Sequence, residues 1–148
     1  MTNRQTRYQG AIIRDHHVLL IKQRLLPSGR FIWLFPGGGI EPGENEKDCV
    51  EREIKEETHL NVKMVSLLLE EHHRYPDGTN QRVKTFLCEP DASEASPGIE
   101  PETPGYQSIF EVKWFDLSSE ANWDPLLVND PIIYKPLQQI RKKLGYLS

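Results

Sequence analysis

The sequence lacks the features of secreted and membrane-spanning proteins. Only two of its 148 residues are cysteines, Cys49 and Cys88, which is too few for a disulfide framework or a zinc ligand set. Its longest apolar runs, such as residues 18–21 and 67–69, are far shorter than the roughly 18 residues that span a bilayer. The N-terminal stretch MTNRQTRYQG has no apolar segment of signal-peptide length. These absences predict a cytoplasmic protein that does not cross a membrane.

An excess of positive charge is absent as well. The chain has 18 Lys and Arg residues against 22 Asp and Glu residues, a net charge of −4, and its pI is about 5.7. Nucleic acids and anionic membranes both attract proteins through a cationic field, so neither is an expected partner, and small molecules are. The length and a hydrophobic content of 37% suit one core. Residues 1–148 are therefore predicted to form a single domain, with residues 1–7 as a tail.

The first half of the chain predicts three strands and a helix. Two apolar runs around the polar residues 14–17 predict a β-hairpin over residues 10–21. Residues 30–35 predict a third strand, which the glycines after Pro36 end. Residues 44–60 predict a helix of about four turns, in which Asn45 is the N-cap and Asp48 its acidic partner.

The second half predicts a further hairpin, a strand and a closing helix. The predicted segments are strands 62–69, 83–88 and 109–117 and a helix with Pro136 in its first turn and Gly145 at its end. Residues 89–108 are rich in Pro, Glu, Ser and Gly and predict a mobile loop. This order of elements favours an α/β fold, in which a mixed β-sheet lies between helices.

Acidic residues are concentrated between Gly38 and Leu60. On the predicted helix, Glu53, Glu56 and Glu57 stand at i, i+3 and i+4, so their carboxylates share one face. Like charges at this spacing destabilise a helix by about 0.2–0.5 kcal/mol per pair, which calls for a compensating cation. Dense carboxylates are the usual ligands of Mg²⁺ or Mn²⁺. An acid-rich helix that is only a solvated face is the alternative interpretation.

The spacing of this segment resembles the Nudix box, G-x5-E-x7-R-E-U-x-E-E-x-G-U, in which U is apolar. The matching residues are Gly38, Glu44, Arg52, Glu53, Ile54, Glu56, Glu57 and Leu60. A chance match to these positions anywhere in the chain is on the order of one in a million. One position departs from the pattern, because His59 stands where the family has glycine. That glycine leaves the helix in a left-handed conformation, which histidine tolerates at some cost.

The resemblance implies a Nudix-type α/β/α sandwich that hydrolyses the pyrophosphate linkage of a nucleoside di- or triphosphate derivative. The implied cofactor is Mg²⁺, for which Mn²⁺ can substitute. A monomer and a homodimer are both compatible with this resemblance. The implied metal ligands are Glu53, Glu56, Glu57 and the main-chain carbonyl of Gly37 or Gly38. Glu53 is also a candidate general base, with Glu100, Glu102 and Glu111 as alternatives on later segments. Arg52 is counted with the catalytic residues because, with Glu44, it would brace the loop and the helix.

Three residues are candidates for binding the nucleotide substrate. Arg24 ends a strand where members acting on nucleoside triphosphates often have a phosphate-binding arginine, although an ordinary surface arginine fits equally well. Asn129 resembles the asparagine with which MutT-like members read a purine edge, but Asn-Asp-Pro is also ordinary turn chemistry. Phe35 borders the glycine loop. Trp33 and Trp114 are expected in the core.

Other residues near the predicted hairpin turn are weaker candidates. At most one of His72 and His73 can face the site, because neighbouring residues on a strand face opposite ways. Tyr75 and Pro76 lie where family members are sorted by substrate, yet beside Asp77 they fit a turn. Two other functions compete with hydrolysis: a catalytically silent Nudix-like module that senses a nucleotide, and an acidic protein-interaction domain.

Overall fold

The computed structural model describes residues 6–25, 27–74, 78–99 and 109–148, which form a mixed sheet of seven strands with helices on both faces. The strands are β1 (Thr6–Arg14), β2 (His17–Arg24), β3 (Phe31–Leu34), β4 (Gly37–Gly38), β5 (Val62–Arg74), β6 (Asn80–Pro90) and β7 (Glu111–Asp116). The helices are α1 (Glu46–Thr58), α2 (Pro125–Val128) and α3 (Pro131–Lys143).

The sheet is mixed because one of its pairings is parallel. Its main path runs β3-β2-β1-β6-β5, while β4 pairs with β1 and β7 pairs with β2. β1 and β6 are parallel, and the other pairs are antiparallel. This arrangement confirms the predicted α/β architecture and places the short β4 beside the middle of the sheet.

Side chains that alternate between the two faces of the central strands form two hydrophobic cores, one on each face of the sheet. Ile12 of β1 lies in a cluster with Val50 and Ile54 of α1. Its neighbour Ala11 lies in the opposite cluster with Leu137 of α3. Successive residues of a strand face opposite sides, so β1 is covered by a helix on each face. The predicted sandwich is therefore present.

α1 begins and ends as its sequence indicates. Asn45 Oδ1 accepts a hydrogen bond of 2.8 Å from the Asp48 N–H, and Asp48 accepts one of 3.4 Å from the Asn45 N–H, which confirms the predicted N-cap. His59 ends the helix at φ 65°, in the left-handed region. Its ring Nδ1 lies 2.8 Å from Ser96 Oγ, a contact that holds this uncommon backbone conformation in place.

Residues 96–99 complete the C-terminal end of α1, so part of the expected loop over 89–108 is attached to the helix. The N–H groups of Ser96, Gly98 and Ile99 donate to the carbonyl oxygens of Thr58, Glu57 and Glu56, at 2.9, 2.9 and 3.1 Å. Carbonyls of a last helical turn have no partner within the helix, and this segment supplies one. Residues 89–90 belong to β6, and residues 100–108 lie outside the described residues.

Replacing Gly98 with alanine is expected to destabilise the fold by about 1–3 kcal/mol, because an added Cβ would collide with the Glu56 carbonyl oxygen. Ser96→Ala keeps its N–H donor to Thr58 and loses only the hydroxyl contact with His59, so it serves as the control with an expected loss of about 1 kcal/mol or less. Urea denaturation measures both variants. Equal stability of Gly98→Ala and the wild type would contradict this close approach.

Several element boundaries differ from the predicted ones. β1 begins at Thr6, inside the segment 1–7 that was expected to be a tail. β5 and β6 extend beyond the predicted 62–69 and 83–88, because their backbone ladder continues to the pair Arg74 and Asn80 through polar residues. The apolar pattern ends earlier than the hydrogen bonding and so shortened the predicted strands.

The closing helix also begins earlier than predicted. Asp130 caps α3 and accepts a hydrogen bond of 3.1 Å from the Ile132 N–H, and Pro131 occupies the first turn. Pro136 therefore lies inside the helix and not in its first turn, and its buried ring shares the core face with Leu137. No helix within the described ranges is long and apolar enough to cross a membrane.

Candidate functional site

The acidic face of α1 lies against the glycines that follow β3. Glu53 and Glu57 are 0% and 1% exposed. The Gly37 N–H donates a hydrogen bond of 2.9 Å to Glu57 Oε1. A Cβ at Gly38 would lie 2.5 Å from Glu53 Oε2, so glycine is required for this close approach. The structure thus brings Gly37 and Gly38 into contact with two of the predicted metal ligands.

Arg52 joins the glycine loop to the helix. Its Nε and Nη2 donate to the two Glu44 carboxylate oxygens at 2.6 and 3.0 Å. Its Nη1 donates to Glu53 Oε1 at 2.7 Å, and Nη2 also donates to the Gly39 carbonyl at 3.1 Å. The hydrogen bonds between Arg52 and Glu44 hold the pKa of Glu44 below its usual value, and they raise the pKa of Arg52. A two-pronged contact of this kind fixes the orientation of both side chains.

Glu56 is the accessible member of the acidic trio. Its side chain is 30% exposed, and its oxygens lie 3.3 and 3.4 Å from Arg52 Nη1. These contacts are longer than the 2.6 Å bond between Arg52 and Glu44. Glu56 is therefore the carboxylate most readily turned from the guanidinium toward a bound cation.

The chemistry of this face fits a hard divalent cation. Its candidate donors are carboxylate oxygens and glycine carbonyls, and Mg²⁺ prefers oxygen ligands. Among the described residues, no three acidic, histidine or cysteine side chains are already gathered around one point as a metal group. Arg52 bonds to Glu53 and lies beside Glu56, so the guanidinium supplies positive charge among these carboxylates.

A cavity of about 310 Å³ lies on the opposite face of the sheet, beneath α3. Its wall includes Gln9, Phe35, Glu71, His73 and Ile133. The cavity adjoins the acidic face through β1, because Gln9 pairs with Gly37 and Gly37 donates to Glu57. A cavity of this size, with apolar walls and a few polar groups, is typical of a small-molecule site.

The predicted substrate residues are distributed unevenly around this cavity. Phe35 lines it but is only 1% exposed and belongs to the core. Arg24 is exposed at the end of β2, with its guanidinium 5.0 Å from the centre of the Phe31 ring. Asn129 ends α2 and lines a shallower depression beside the cavity. Of the three, only Phe35 is part of the cavity wall.

Trp33 is buried and lines the cavity, and Trp114 is half-buried with the Arg14 guanidinium over its ring. His73 lines the cavity and its neighbour His72 does not. Glu111 begins β7 and lies 4.0 Å from Lys22. The candidates outside the described residues are Tyr75, Pro76, Glu100 and Glu102.

Sequence reasoning missed most of the polar cavity wall. Arg7 and Gln9 lie two apart on β1, as do Glu71 and His73 on β5. Spacing of two places each pair on one face of its strand. That periodicity was the available signal, but it does not indicate which face of a strand borders a cavity.

Comparison with known proteins finds a domain family and several relatives that the chain resembles. Residues 4–133 match the NUDIX domain. The chain is 46% identical to an ADP-ribose pyrophosphatase of Methanocaldococcus jannaschii over 59 aligned residues. This alignment covers 40% of this chain and 34% of that protein. Over 70 residues the chain is 39% identical to an 8-oxo-dGTP diphosphatase of Proteus vulgaris, covering 46% of this chain and 62% of that protein. The matches thus span less than two thirds of these curated relatives.

Solved structures share the fold over most of the chain. A NUDIX hydrolase from Nitrosomonas europaea superposes with a TM-score of 0.74 at 18% identity, covering 95% of this chain and 90% of that one. A MutT NUDIX hydrolase from Burkholderia pseudomallei gives a TM-score of 0.69 at 26% identity, covering 91% and 96%.

Proposed function

Because the chain belongs to the Nudix family, we propose that it hydrolyses the pyrophosphate linkage of a nucleoside di- or triphosphate derivative with Mg²⁺ as cofactor. The observation that carries this proposal is the burial of Glu53 and Glu57 against Gly37 and Gly38. Burying two carboxylates is costly unless cations offset their charge. Arg52 offsets part of it, and a divalent ion bound with a substrate would offset the remainder.

The proposed metal ligands are Glu53, Glu56, Glu57 and the carbonyl of Gly37 or Gly38. Mg²⁺ bound there would screen the pyrophosphate charge and lower the pKa of an attacking water. Gly38 matters because its lack of a side chain leaves room for the Glu53 carboxylate. Mn²⁺ has similar ligand preferences and is expected to substitute.

Glu53 is the proposed general base, and Arg52 is the proposed positioning residue for it. The 2.7 Å bond from Arg52 Nη1 fixes Glu53 Oε1, and the contact of Arg52 with Glu44 prevents the guanidinium from turning away. Glu111 lies 4.0 Å from Lys22 and remains an alternative base, as do Glu100 and Glu102.

The proposed substrate is a small nucleotide, whose base would enter the cavity beside Phe35. The two relatives described above are named for ADP-ribose and 8-oxo-dGTP. Arg24 and Asn129 lie outside this cavity and are proposed to contact the more exposed parts of a substrate. The two cysteines are buried and form no disulfide with each other, as expected for the proposed location in the reducing cytoplasm.

A substrate panel tests the proposed function. Purified protein is incubated with (d)NTPs, ADP-ribose, nucleotide sugars and dinucleoside polyphosphates in Mg²⁺, in Mn²⁺ and in excess EDTA, and products are separated by ion-exchange chromatography. Metal-dependent cleavage at a phosphoanhydride is expected for at least one class. Saturable nucleotide binding without turnover on any substrate would instead favour the silent sensor module. Equilibrium sedimentation of the same sample decides between monomer and homodimer.

A further inference from the structure

Several polar side chains that line the cavity under α3 are hydrogen-bonded within the protein. Arg7 donates to Gln9 Oε1 at 3.0 Å and to the Phe35 carbonyl at 2.9 Å. Gln9 in turn donates to Thr85 Oγ1 at 2.9 Å. Asp130 is occupied as the N-cap of α3. These hydrogen bonds hold the cavity walls together, and each of the three side chains already has a partner within the protein.

Glu71 differs from these groups. Its side chain lines the cavity and is 18% exposed, and its Oε2 lies 3.5 Å from Nε2 of the His73 ring. Within the described residues the Glu71 carboxylate accepts no hydrogen bond. Burial raises the pKa of this carboxyl, and His73 partly opposes that rise. A half-buried carboxylate needs N–H donors, and a ligand in the cavity is positioned to supply them.

The position of Glu71 suits contact with a base and not with phosphate. Arg7, Val83 and Glu71 are successive cross-strand neighbours on β1, β6 and β5, so Glu71 lies two strand spacings, about 10 Å, from β1. Gln9 on β1 pairs with Gly37, which donates to Glu57. A nucleotide with its phosphates at the acidic face would extend its base toward Glu71. The negative carboxylate would repel phosphate from this end.

We propose that Glu71 selects the base of the substrate by accepting hydrogen bonds from two adjacent N–H groups, the pattern of a guanine-type edge. Guanine presents N1–H beside its 2-amino group, and both can donate to one carboxylate. Adenine and cytosine present an amino group beside a ring nitrogen whose lone pair faces the carboxylate, and uracil presents a single N–H between carbonyls. This inference rests on the proposed nucleotide hydrolysis, which it narrows to guanine nucleotides and their derivatives.

Steady-state kinetics with GTP and ATP test this selection. The wild type is expected to prefer GTP by about ten- to a hundredfold in kcat/KM, the discrimination that one two-point base contact provides. Glu71→Gln replaces one acceptor oxygen by an N–H donor, the pattern that complements adenine. The variant is therefore expected to lose most of the GTP preference and to gain activity on ATP.

Glu70→Gln is the matched control. Glu70 is the preceding residue of β5, is exposed and pairs with Arg82 at 3.2 Å, so its loss should leave the GTP to ATP ratio unchanged. Thermal melting of both variants checks that they fold. A wild type that does not distinguish GTP from ATP, or a Glu71→Gln variant that slows both equally, would overturn the proposal.

Calorimetric binding of GDP and ADP in Mg²⁺ separates this inference from the proposed hydrolysis. If the wild type cleaves no nucleotide but binds GDP more tightly than ADP, and Glu71→Gln reverses that order, the base selection stands and the hydrolytic function fails. If cleavage occurs without base preference in rate or binding, the hydrolytic function stands and the role of Glu71 fails.

Discussion

Glu57→Gln is expected to lower kcat by about a hundredfold or more while leaving the far-UV circular dichroism unchanged. Glutamine retains an oxygen that can accept the Gly37 N–H, so the loop and helix should stay together. It removes a buried negative charge from the proposed metal ligands. A hundredfold lower rate corresponds to about 2.7 kcal/mol of lost transition-state stabilisation, because each 1.36 kcal/mol is tenfold in rate. Initial rates on the best substrate of the panel, at saturating Mg²⁺, measure the effect.

Glu51→Gln provides the control on the same helix. Glu51 pairs with Lys47 at 3.0 Å and accepts from the Met64 N–H, away from the glycine loop. Turnover of Glu51→Gln should stay within about twofold of the wild type, because Glu51 contacts none of the proposed metal ligands, and loss of its ion pair should cost little stability. Near-normal turnover in Glu57→Gln would remove Glu57 from the site.

Arg52→Ala is expected to lower the free energy of unfolding by about 3 kcal/mol and to abolish most turnover. The variant leaves the fully buried Glu53 without the guanidinium that donates to it at 2.7 Å, and breaking a buried ion pair is costly. Urea denaturation at neutral pH measures the change. Lys47→Ala removes a more exposed partner of an ion pair and should cost less than about 0.5 kcal/mol. A loss below 1 kcal/mol in Arg52→Ala would contradict the bracing role.

The cost of Arg52→Ala should also depend on pH. Arg52 lowers the pKa of Glu44 from its ordinary 4.5, so this interaction stabilises the folded state fully above that value. As the pH falls through the lowered pKa, Glu44 protonates in the folded state and that part of the stability is lost. The difference between wild type and variant should therefore shrink below about pH 4.5.

The sequence predicted α1 more fully than the cavity, for a physical reason. The cap at Asn45 and the acidic spacing on α1 depend on residues within one helix, where chain distance determines spatial distance. The cavity wall is assembled from β1, β5, β6 and α3, and no local pattern records which strands are neighbours. Glu71 lies just beyond the predicted strand 62–69 and is not among the residues that the sequence predicts for the site.

The start of α3 was predicted wrongly although the local sequence contained a signal for it. Asp130 followed by Pro131 is a favourable N-cap and first position, yet Pro136 was assigned to the first turn. Proline inside a helix removes one hydrogen bond, which normally argues against it. In α3 the Pro136 ring is buried with Ile133 and Leu137, and that core contact offsets the lost bond.

Anomalous scattering from a crystal soaked in Mn²⁺ tests the central claim most directly. The account predicts a single strong peak bounded by carboxylate oxygens of Glu53, Glu56 and Glu57, with Glu56 turned away from Arg52. A map without a peak at this face, in which Glu56 still lies against Arg52 at saturating Mn²⁺ and with a nucleotide present, would contradict it.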